Sequence, residues 1–148
     1  MPIHLKRLKK ELSKILENPI ERVTIFPKED NILIWEGFIE GPIDSPYSGG
    51  KFPLVMKFDK SYPVKPPSVK FTKHVFHPNI YTDGKICIDI LQQNWSPSLN
   101  IQSILMSLIS LFDDPNVKSP ANRNAAILYS DDRSKFNEKV KECISKIN

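Results

Sequence analysis

The spacing of hydrophobic side chains changes along the chain from a helical pattern to a strand pattern and back again. In residues 3–17, leucine and isoleucine recur at steps of three and four residues, which predicts an amphipathic helix that ends at Asn18-Pro19. From residue 23 to residue 72 the apolar positions form short runs between turn residues, and within residues 52–58 they alternate with the others. We therefore predict an antiparallel meander with strands at 23–26, 32–40, 52–58 and 69–72.

Helical spacing returns in the last third of the chain. Apolar residues cover most of the circumference of a helix predicted at 101–112, and Asn100 is suited to cap its first turn. All-round hydrophobicity of this kind predicts a central, mostly buried helix. Ser119-Pro120 has the form of an N-cap followed by proline at the first helical position, and it predicts a further helix that runs through Tyr129.

The last helix is predicted to begin after Asp131 or Asp132, because the apolar residues that follow recur at helical steps. Cys143 belongs to this apolar stripe and is interpreted as part of the core. Together the elements predict an α+β fold: an N-terminal helix, a four-stranded antiparallel meander sheet, a loop that carries the candidate active site, a central buried helix and two C-terminal helices. We expect a single domain that covers residues 1–148.

Composition and charge argue against several kinds of protein. The chain is long enough to bury about two-thirds of its unfolded surface, so it needs no disulfide or metal for support. The two cysteines lack the spacing of a disulfide framework, and the three histidines and the absence of a C-x-x-C pair leave no zinc site. We therefore expect no metal and no cofactor. The net charge of +4 is modest and does not by itself indicate binding to nucleic acid.

The same features predict where the protein is found. No apolar run approaches the ~20 residues needed to cross a bilayer, and the first residues lack the pattern of a signal peptide. Two cysteines without a framework spacing indicate a reducing setting. We expect a protein of the cytoplasm, the nucleus or both, without a membrane among its partners.

The stretch between the last predicted strand and the central helix is irregular and carries the candidate chemistry. Pro78 fixes its own backbone angle and disfavours helix at His77, while Asp83-Gly84 is a turn pair. Long irregular segments inside compact domains are usually functional. This one leads to Cys87, and cysteine is the most nucleophilic side chain near neutral pH. A single cysteine is more often a small buried hydrophobe than a nucleophile, so the residues around Cys87 must decide which of the two it is.

The residues around Cys87 resemble the active-site block of ubiquitin-conjugating enzymes. His77-Pro78-Asn79 ends eight residues before the cysteine, and Asp89 and Trp95-Ser96-Pro97 follow it. The likeness extends over nearly the whole chain, through the blocks Gly41-Pro42, Pro46-Tyr47, Gly49-Gly50 and Tyr62-Pro63 with Pro66-Pro67. Within the family, Ser119-Pro120-Ala121-Asn122 and Ala125-Ala126 are most similar to the group linked to DNA-damage tolerance and chromatin ubiquitylation.

The resemblance implies a cysteine-dependent acyltransferase. Such an enzyme accepts ubiquitin from the ubiquitin-activating enzyme as a thioester, here on Cys87, and transfers it to a lysine of a protein substrate, usually with a RING-type ligase. A conjugating enzyme for another ubiquitin-like modifier shares the same active-site block and is an alternative. A non-catalytic ubiquitin-binding scaffold would lack the cysteine, and a thiol hydrolase would use Cys87 with His77 as its base.

The resemblance also implies roles for the neighbours of Cys87. The Asn79 amide can donate a hydrogen bond to the oxyanion that forms during transfer, or it can brace the loop. His77 is expected to fix the loop rather than to act as a base, and Asp89 to position or desolvate the incoming amine. Many relatives carry an acidic base where this chain has Ser119. Serine cannot serve as that base, so Ser119 is either a helix cap or a site where phosphorylation would add negative charge.

Three surfaces for partner proteins follow from the resemblance. In the family the activating enzyme binds the first helix through basic residues. The residues at the matching positions are Lys6, Arg7 and Lys10. Without the resemblance, this face would be interpreted as a solvated surface. Ligases grip this helix together with two loops, whose matching residues are Val64, Lys65, Pro97 and Ser98. The thioester-linked ubiquitin folds back on the central helix, where a stripe of small hydroxyl side chains forms either a docking face or a water-facing edge: Ser103, Ser107 and Ser110.

Overall fold

Four helices and four strands form in the computed structural model, which describes residues 1–148. Helices α1 to α4 are Ile3–Glu17, Ile101–Asp113, Arg123–Asp131 and Arg133–Ile147, and strands β1 to β4 are Val23–Lys28, Asn31–Glu40, Lys51–Lys57 and Ser68–Phe71. A short 3₁₀ turn occupies Asp89–Leu91. The predicted α+β fold is confirmed. No helix is both long and apolar enough to cross a bilayer, and no three histidine, cysteine or acidic side chains are grouped as metal ligands.

The sheet is a meander in which each strand pairs antiparallel with the next, in the order β1-β2-β3-β4. Strand β1 runs two residues beyond its predicted end at Phe26, through Pro27 to Lys28. Proline cannot donate a ladder hydrogen bond, but β1 is an edge strand, and its register shifts between Pro27 and Lys28. The edge position therefore allows the strand to continue past the proline.

One hydrophobic cluster packs the inner face of the sheet against α2 and α4. Helix α2 contributes Ile104, Leu105 and Leu108, all almost fully buried, as its all-round apolar pattern predicted. Tyr47, on the loop between β2 and β3, packs its ring 4.9 Å from that of Phe112 in this core. The Tyr47 hydroxyl donates a 2.6 Å hydrogen bond to the carbonyl of Phe76. The core therefore holds the start of the segment that carries the candidate site.

Two of the three predicted helix starts in the last third of the chain are confirmed by their caps. Asn100 caps α2, and its side chain forms a reciprocal capping box with Ser103. Of the two candidates for α4, Asp132 is the cap, because its carboxylate accepts a 3.1 Å hydrogen bond from the amide of Lys135.

The predicted start of α3 at Ser119-Pro120 is wrong. The helix begins at Arg123, and Asn122 is its cap because the side chain accepts a hydrogen bond from an amide of the first turn. The amides of Ala121 and Asn122 donate to the carbonyl of Pro78, at 2.8 and 3.0 Å. These two bonds hold the segment against the active-site loop and keep it out of the helix.

Candidate active site

A tight turn in residues 80–86 leads the chain to Cys87. Its backbone pairs with the end of β4, where the amide of Phe71 donates a 3.0 Å hydrogen bond to the carbonyl of Gly84. Gly84 has a φ of +95°, and a Cβ at this position would overlap the carbonyl oxygen of Phe71. The turn therefore requires glycine here, in agreement with the turn pair predicted at Asp83-Gly84.

The thiol of Cys87 is partly exposed, and its sulfur makes no hydrogen bond with the rest of the chain. The amide of Cys87 donates a 2.8 Å hydrogen bond to the carbonyl of Asn79, which holds the backbone in place. Cys143 is buried in α4, as predicted, and its thiol donates to the carbonyl of His74 at 2.9 Å. Burial raises the pKa of the Cys143 thiol. Of the two cysteines, Cys87 therefore has the sulfur that a large substrate can reach.

The ring of His77 is buried, and both of its nitrogens have partners. Nδ1 accepts a 2.9 Å hydrogen bond from the amide of Asn79, so Nε2 carries the proton and donates to the carbonyl of Leu111 at 2.7 Å. Burial lowers the pKa of His77 to about 4. The ring is therefore neutral near pH 7 and has no free nitrogen for a proton from Cys87. This geometry fits a residue that fixes the loop, and it does not fit a cysteine–histidine hydrolase.

The side chain of Asn79 is also buried, and it binds the backbone of Asn116 twice. Its Nδ2 donates to the carbonyl of Asn116 at 2.7 Å, and its Oδ1 accepts from the amide of Asn116 at 2.8 Å. These bonds show the bracing contact directly. The amide group has a second N–H that makes no hydrogen bond within the chain. Sequence reasoning singled out Asn79 but did not identify Asn116 as its partner.

Residues 116–122 form a lid over the active-site loop. One end is held by the bonds between Asn116 and Asn79, and the other by the two amides that donate to the carbonyl of Pro78. Ser119 lies exposed between these anchors and makes no hydrogen bond with the chain, so it is not a helix cap. Because the carbonyl of Asn79 also holds the amide of Cys87, a single residue connects the lid with the cysteine.

Asp89 lies two residues after Cys87, at the start of the 3₁₀ turn, and is exposed. One carboxylate oxygen accepts a 2.8 Å hydrogen bond from the side chain of Asn94, and the other faces solvent without a partner in the chain. Asp89 lines a shallow groove of about 370 Å³ that runs between the 3₁₀ turn and α2. Asp89 therefore lies beside this groove, and its predicted contact with an incoming amine stays a prediction.

The stripe of serines on α2 is only partly the surface that the sequence suggested. Ser107 and Ser110 line the same groove as Asp89. The Ser103 hydroxyl is instead bonded to the side chain and amide of Asn100 in the capping box, because it lies in the first turn of the helix. Met106 is 49% exposed on this face and also lines the groove. Sequence reasoning missed Met106, since an apolar residue on a mostly buried helix is normally expected to face the core.

The predicted partner surface is assembled from α1 and two loops, residues 61–67 and 95–99, which we call the platform. The indole N–H of Trp95 donates to the carbonyl of Pro63 at 3.0 Å and joins the two loops. Arg7 donates to the carbonyl of Leu99 at 2.8 Å and joins α1 to the second loop. The predicted contact residues that are exposed on the platform are Lys6, Lys10, Val64, Lys65, Pro97 and Ser98.

Arg7 corrects the prediction of a fully solvated basic face. Its guanidinium is bound to Glu11 at 3.0 Å as well as to the loop, and its side chain is largely covered. Glu11 is only 5% exposed, and its carboxylate also accepts 2.6 Å hydrogen bonds from the Tyr62 hydroxyl and from the amide of Ile101. Sequence reasoning missed Glu11. The available signal was an acidic residue at helical spacing between Leu8 and the later apolar residues, inside the stripe that faces the core.

The chain is similar over almost its full length to ubiquitin-conjugating enzymes. The family model described as ubiquitin-conjugating enzyme matches residues 7–144. Ubiquitin-conjugating enzyme E2 2 of Kluyveromyces lactis is 46% identical over 141 residues, which cover 95% of this chain and 86% of the relative. The protein of the same name from Saccharomyces cerevisiae is 45% identical over 141 residues, with 95% and 82% covered. Ubiquitin-conjugating enzyme E2 1 of Caenorhabditis elegans is 46% identical over 139 residues, with 94% and 72% covered.

Proposed function

The chain belongs to the ubiquitin-conjugating enzyme family and is a ubiquitin-transferring enzyme, and we propose that Cys87 is the residue that carries ubiquitin. The observation that supports this most is the contrast between the two thiols. Cys87 is partly exposed with an unpaired sulfur, whereas Cys143 is buried and donates to a backbone carbonyl. Both cysteines are free thiols, which supports our further proposal of a reducing setting in the cytoplasm or nucleus.

Two acyl transfers occur at this sulfur. In the first, the Cys87 thiolate attacks the carbonyl of the thioester that the activating enzyme carries. A C–S bond to Cys87 forms and the C–S bond to the activating enzyme breaks, so one thiol replaces another of the same kind. In the second, a substrate amine attacks the new thioester, a C–N bond forms, and the Cys87 thiolate leaves. The second step is harder, because a lysine with an ordinary pKa of about 10.4 must lose a proton.

The residues around Cys87 serve the second step in different ways. Asn79 holds the lid through Asn116 and keeps one N–H for the oxyanion. Asp89 presents a free carboxylate oxygen beside the groove, where it positions the incoming amine. His77 is neutral and fully bonded, so its role is to keep this loop in shape. Ser119 lies exposed on the lid, where added negative charge would favour deprotonation of the amine.

Family members act with ubiquitin, an activating enzyme and ligases, and the platform supplies the surfaces for the last two. We assign Lys6 and Lys10 to the activating enzyme, because both are exposed on α1. Val64 is 71% exposed on a loop stiffened by prolines, which lowers the entropy cost of binding a ligase of RING type. Arg7 supports this surface from within by joining α1 to the loop at Leu99.

The groove on α2 is the docking face that we propose for the thioester-linked ubiquitin. It runs between α2 and the turn that follows Cys87, so a protein bound to the sulfur lies next to it. Ser107 and Ser110 allow close approach, and Met106 adds exposed apolar area to the same groove. Ser103 is not part of the proposed face, because its hydroxyl is used in the cap of α2.

The test is incubation with ubiquitin, ATP and the activating enzyme, followed by electrophoresis without reductant. The wild-type chain is expected to gain one ubiquitin through a bond that a thiol reductant cleaves. Cys87→Ser is expected to form an oxyester that resists reductant, because the hydroxyl is a poorer leaving group. Cys143→Ser is the matched control and is expected to charge normally. Loss of charging in Cys143→Ser with normal thioester formation in Cys87→Ser would overturn the assignment.

A further inference from the structure

Two lysines lie directly opposite each other close to Cys87. Lys70 on β4 and Lys85 after the tight turn form an antiparallel bridge, next to the hydrogen bond between the amide of Phe71 and the carbonyl of Gly84. Residues directly opposite each other point to the same side of the sheet, with Cβ atoms about 4.5–5.5 Å apart. Two like charges are therefore held together at the surface, which is unfavourable unless an anion lies between them.

This pair of lysines shares a face with Cys87. Both neighbours of Lys70 in β4 are buried, so Lys70 points away from the core. Ile86 is likewise buried, while Lys85 before it is exposed and Cys87 after it is partly exposed. Because side chains alternate between the two faces of an extended chain, both lysines and the cysteine point outwards together. Two residues of extended backbone separate the Cα atoms of Lys85 and Cys87 by about 6.6 Å.

Neither lysine has a strong acidic partner within the chain. Lys70 makes no ion pair, and its stem lies against the turn, since a Cβ on Gly84 would meet the Lys70 Cγ at 3.4 Å. The side chain of Lys85 is 71% exposed and reaches only Asp83, at 4.0 Å. An ion pair of this length in a solvated position contributes little. The surface before Cys87 therefore carries an excess of positive charge.

The chain after Cys87 carries the opposite charge. Asp89 follows two residues later, the backbone of Ile88 between them is extended, and one carboxylate oxygen of Asp89 has no partner in the chain. The charge along the segment thus changes from positive at Lys85 to negative at Asp89, with the sulfur between them. A substrate lysine whose amine approaches from the side of Asp89 leaves its neighbouring residues facing the two lysines.

We propose that Lys70 and Lys85 select acceptor lysines that have an acidic residue two positions away in the substrate protein. The inference rests on the proposed function, since the substrate must discharge a thioester on Cys87. Residues two apart in an extended substrate lie on one side and about 6.6 Å from each other, which matches the step from Lys85 to Cys87. A carboxylate between the two ammonium groups offsets their repulsion, and a neutral side chain does not.

The experiment compares acceptor peptides on the full chain, charged beforehand with ubiquitin and freed of ATP. Each peptide has one lysine and carries Glu either two positions before it or two positions after it. Matched peptides have Gln or Arg in place of Glu. Single-turnover discharge is measured at low and high salt, and the result is the ratio of the rates for the Glu and Gln peptides. Because both rates come from the same enzyme, a general loss of activity in a variant cancels from this ratio.

The variants change the charge of the pair in two steps. The first neutralises it with Lys70→Gln and Lys85→Gln, and the second reverses it with Lys70→Glu and Lys85→Glu. The matched control is the double change of Lys135 and Lys141 to Glu, because these exposed residues of α4 alter the net charge as much as the reversal does.

We expect the wild type to prefer Glu over Gln roughly fivefold in at least one of the two positions, the size of one well-placed exposed ion pair. The preference should be smaller at high salt, because exposed charges are screened. It should disappear in the neutral variant, turn into a preference for Arg in the reversed variant, and persist in the α4 control.

Three results would overturn the proposal: equal rates for Glu and Gln peptides in the wild type, an unchanged ratio in the neutral variant, or loss of the preference in the α4 control. In each of these cases the wild type still forms a thioester and discharges it. A wild type that forms no reductant-sensitive thioester would instead overturn the proposed function, so the two failures are distinguishable.

Discussion

His77 is a titratable side chain that the fold uses only in its neutral form. Its ring lies between the amide of Asn79 and the carbonyl of Leu111, and both contacts require the proton on Nε2 alone. Protonation of Nδ1 would turn the amide contact into a repulsion between two donors. His77 belongs to the same irregular segment as Cys87, but its burial and its two hydrogen bonds exclude it from proton transfer with that thiol.

We expect the burial of His77 to make the free energy of unfolding fall at acidic pH. The pKa of His77 is about 4 in the folded chain and 6.5 when unperturbed, so the unfolded chain binds a proton that the folded chain does not. This contribution is fully present above about pH 6.5 and is lost as the pH falls towards 4, by ~3 kcal/mol. Urea unfolding of the wild type and of His77→Gln between pH 4 and pH 6.5 measures this contribution. The variant should be less stable near neutrality but lose less on acidification.

The control for this measurement is His74→Gln, since His74 is exposed. It is expected to follow the wild type across the same range. If His77→Gln lost as much stability on acidification as the wild type, other groups would be responsible for the acid dependence, and the neutral ring would not be the cause.

Asn79→Ala separates the two acyl transfers. A thiolate is a strong nucleophile and its attack on a matched thioester needs little help, so charging should stay nearly intact. Discharge to free lysine should slow by ~10²–10³, because the variant lacks the N–H that we propose as the oxyanion donor. Single-turnover rates of both steps provide the measurement. Asn116→Ala is the control, since the bonds of Asn116 to Asn79 come from its backbone. Equal slowing of charging and discharge in Asn79→Ala would assign the residue to bracing alone.

At the scale of elements, α1 combines an exposed basic surface with a buried connection to the rest of the chain. We expect the double change of Lys6 and Lys10 to Glu to slow charging by the activating enzyme without changing the melting temperature, since both side chains are exposed. The effect should be larger at low salt, because exposed charges are screened over ~10 Å at 0.1 M. The measurement is the initial rate of thioester formation at two salt concentrations.

A double change of Lys135 and Lys141 to Glu is the matched control, because these exposed residues of α4 alter the net charge equally. Charging by this control should be close to that of the wild type. If it slowed charging as much as the α1 variant did, net charge rather than a docking site on α1 would explain the result.

The start of α3 provides a test of the corrected cap. Asn122→Ala should lower the free energy of unfolding by ~1 kcal/mol, because the side chain satisfies an amide of the first turn. Ser119→Ala should leave it unchanged, since the Ser119 hydroxyl makes no hydrogen bond with the chain. Urea unfolding of the two variants beside the wild type gives the comparison. A larger loss in Ser119→Ala than in Asn122→Ala would restore the cap that the sequence suggested.

At the scale of the whole molecule, Glu11 connects three parts of the chain that are far apart in sequence. Its carboxylate holds α1 through Arg7, the first platform loop through Tyr62 and the start of α2 through Ile101. Burial and the bond to Glu11 raise the pKa of the Tyr62 hydroxyl, so this group remains a donor. The surface proposed for partners and the helix proposed for ubiquitin are therefore joined at one buried carboxylate.

Glu11→Ala is expected to destabilise the chain by ~3–5 kcal/mol, because it leaves a charged guanidinium and two polar groups without their partner. Glu17→Ala, at an exposed site on the same helix, is the control and should change stability little. Urea unfolding followed by tryptophan fluorescence measures both variants. Similar midpoints for Glu11→Ala and the wild type would show that solvent replaces the carboxylate at no cost, and that the three elements do not depend on it.

The elements of the fold could be predicted, and a candidate nucleophile could be singled out, because both depend on neighbouring residues. The predicted helix at 3–17 matches α1, and Asn100 was identified correctly as the cap of α2, since periodicity and capping act within a few residues. Cys87 was singled out by its position after His77-Pro78-Asn79. The start of α3 was wrong because a contact with the carbonyl of Pro78 overrode a local capping pattern.

The sequence by itself therefore determined the order of the helices and strands, the turn that requires Gly84, and the candidate nucleophile Cys87. Only the tertiary structure decided which polar groups are paired in the interior. The side-chain amide of Asn79 is hydrogen-bonded to the backbone of Asn116, 37 residues away. The carboxylate of Glu11 accepts a hydrogen bond from the backbone N–H of Ile101, 90 residues away. No local pattern specifies such pairs, because each buried donor or acceptor takes the partner that the folded path of the chain brings within reach.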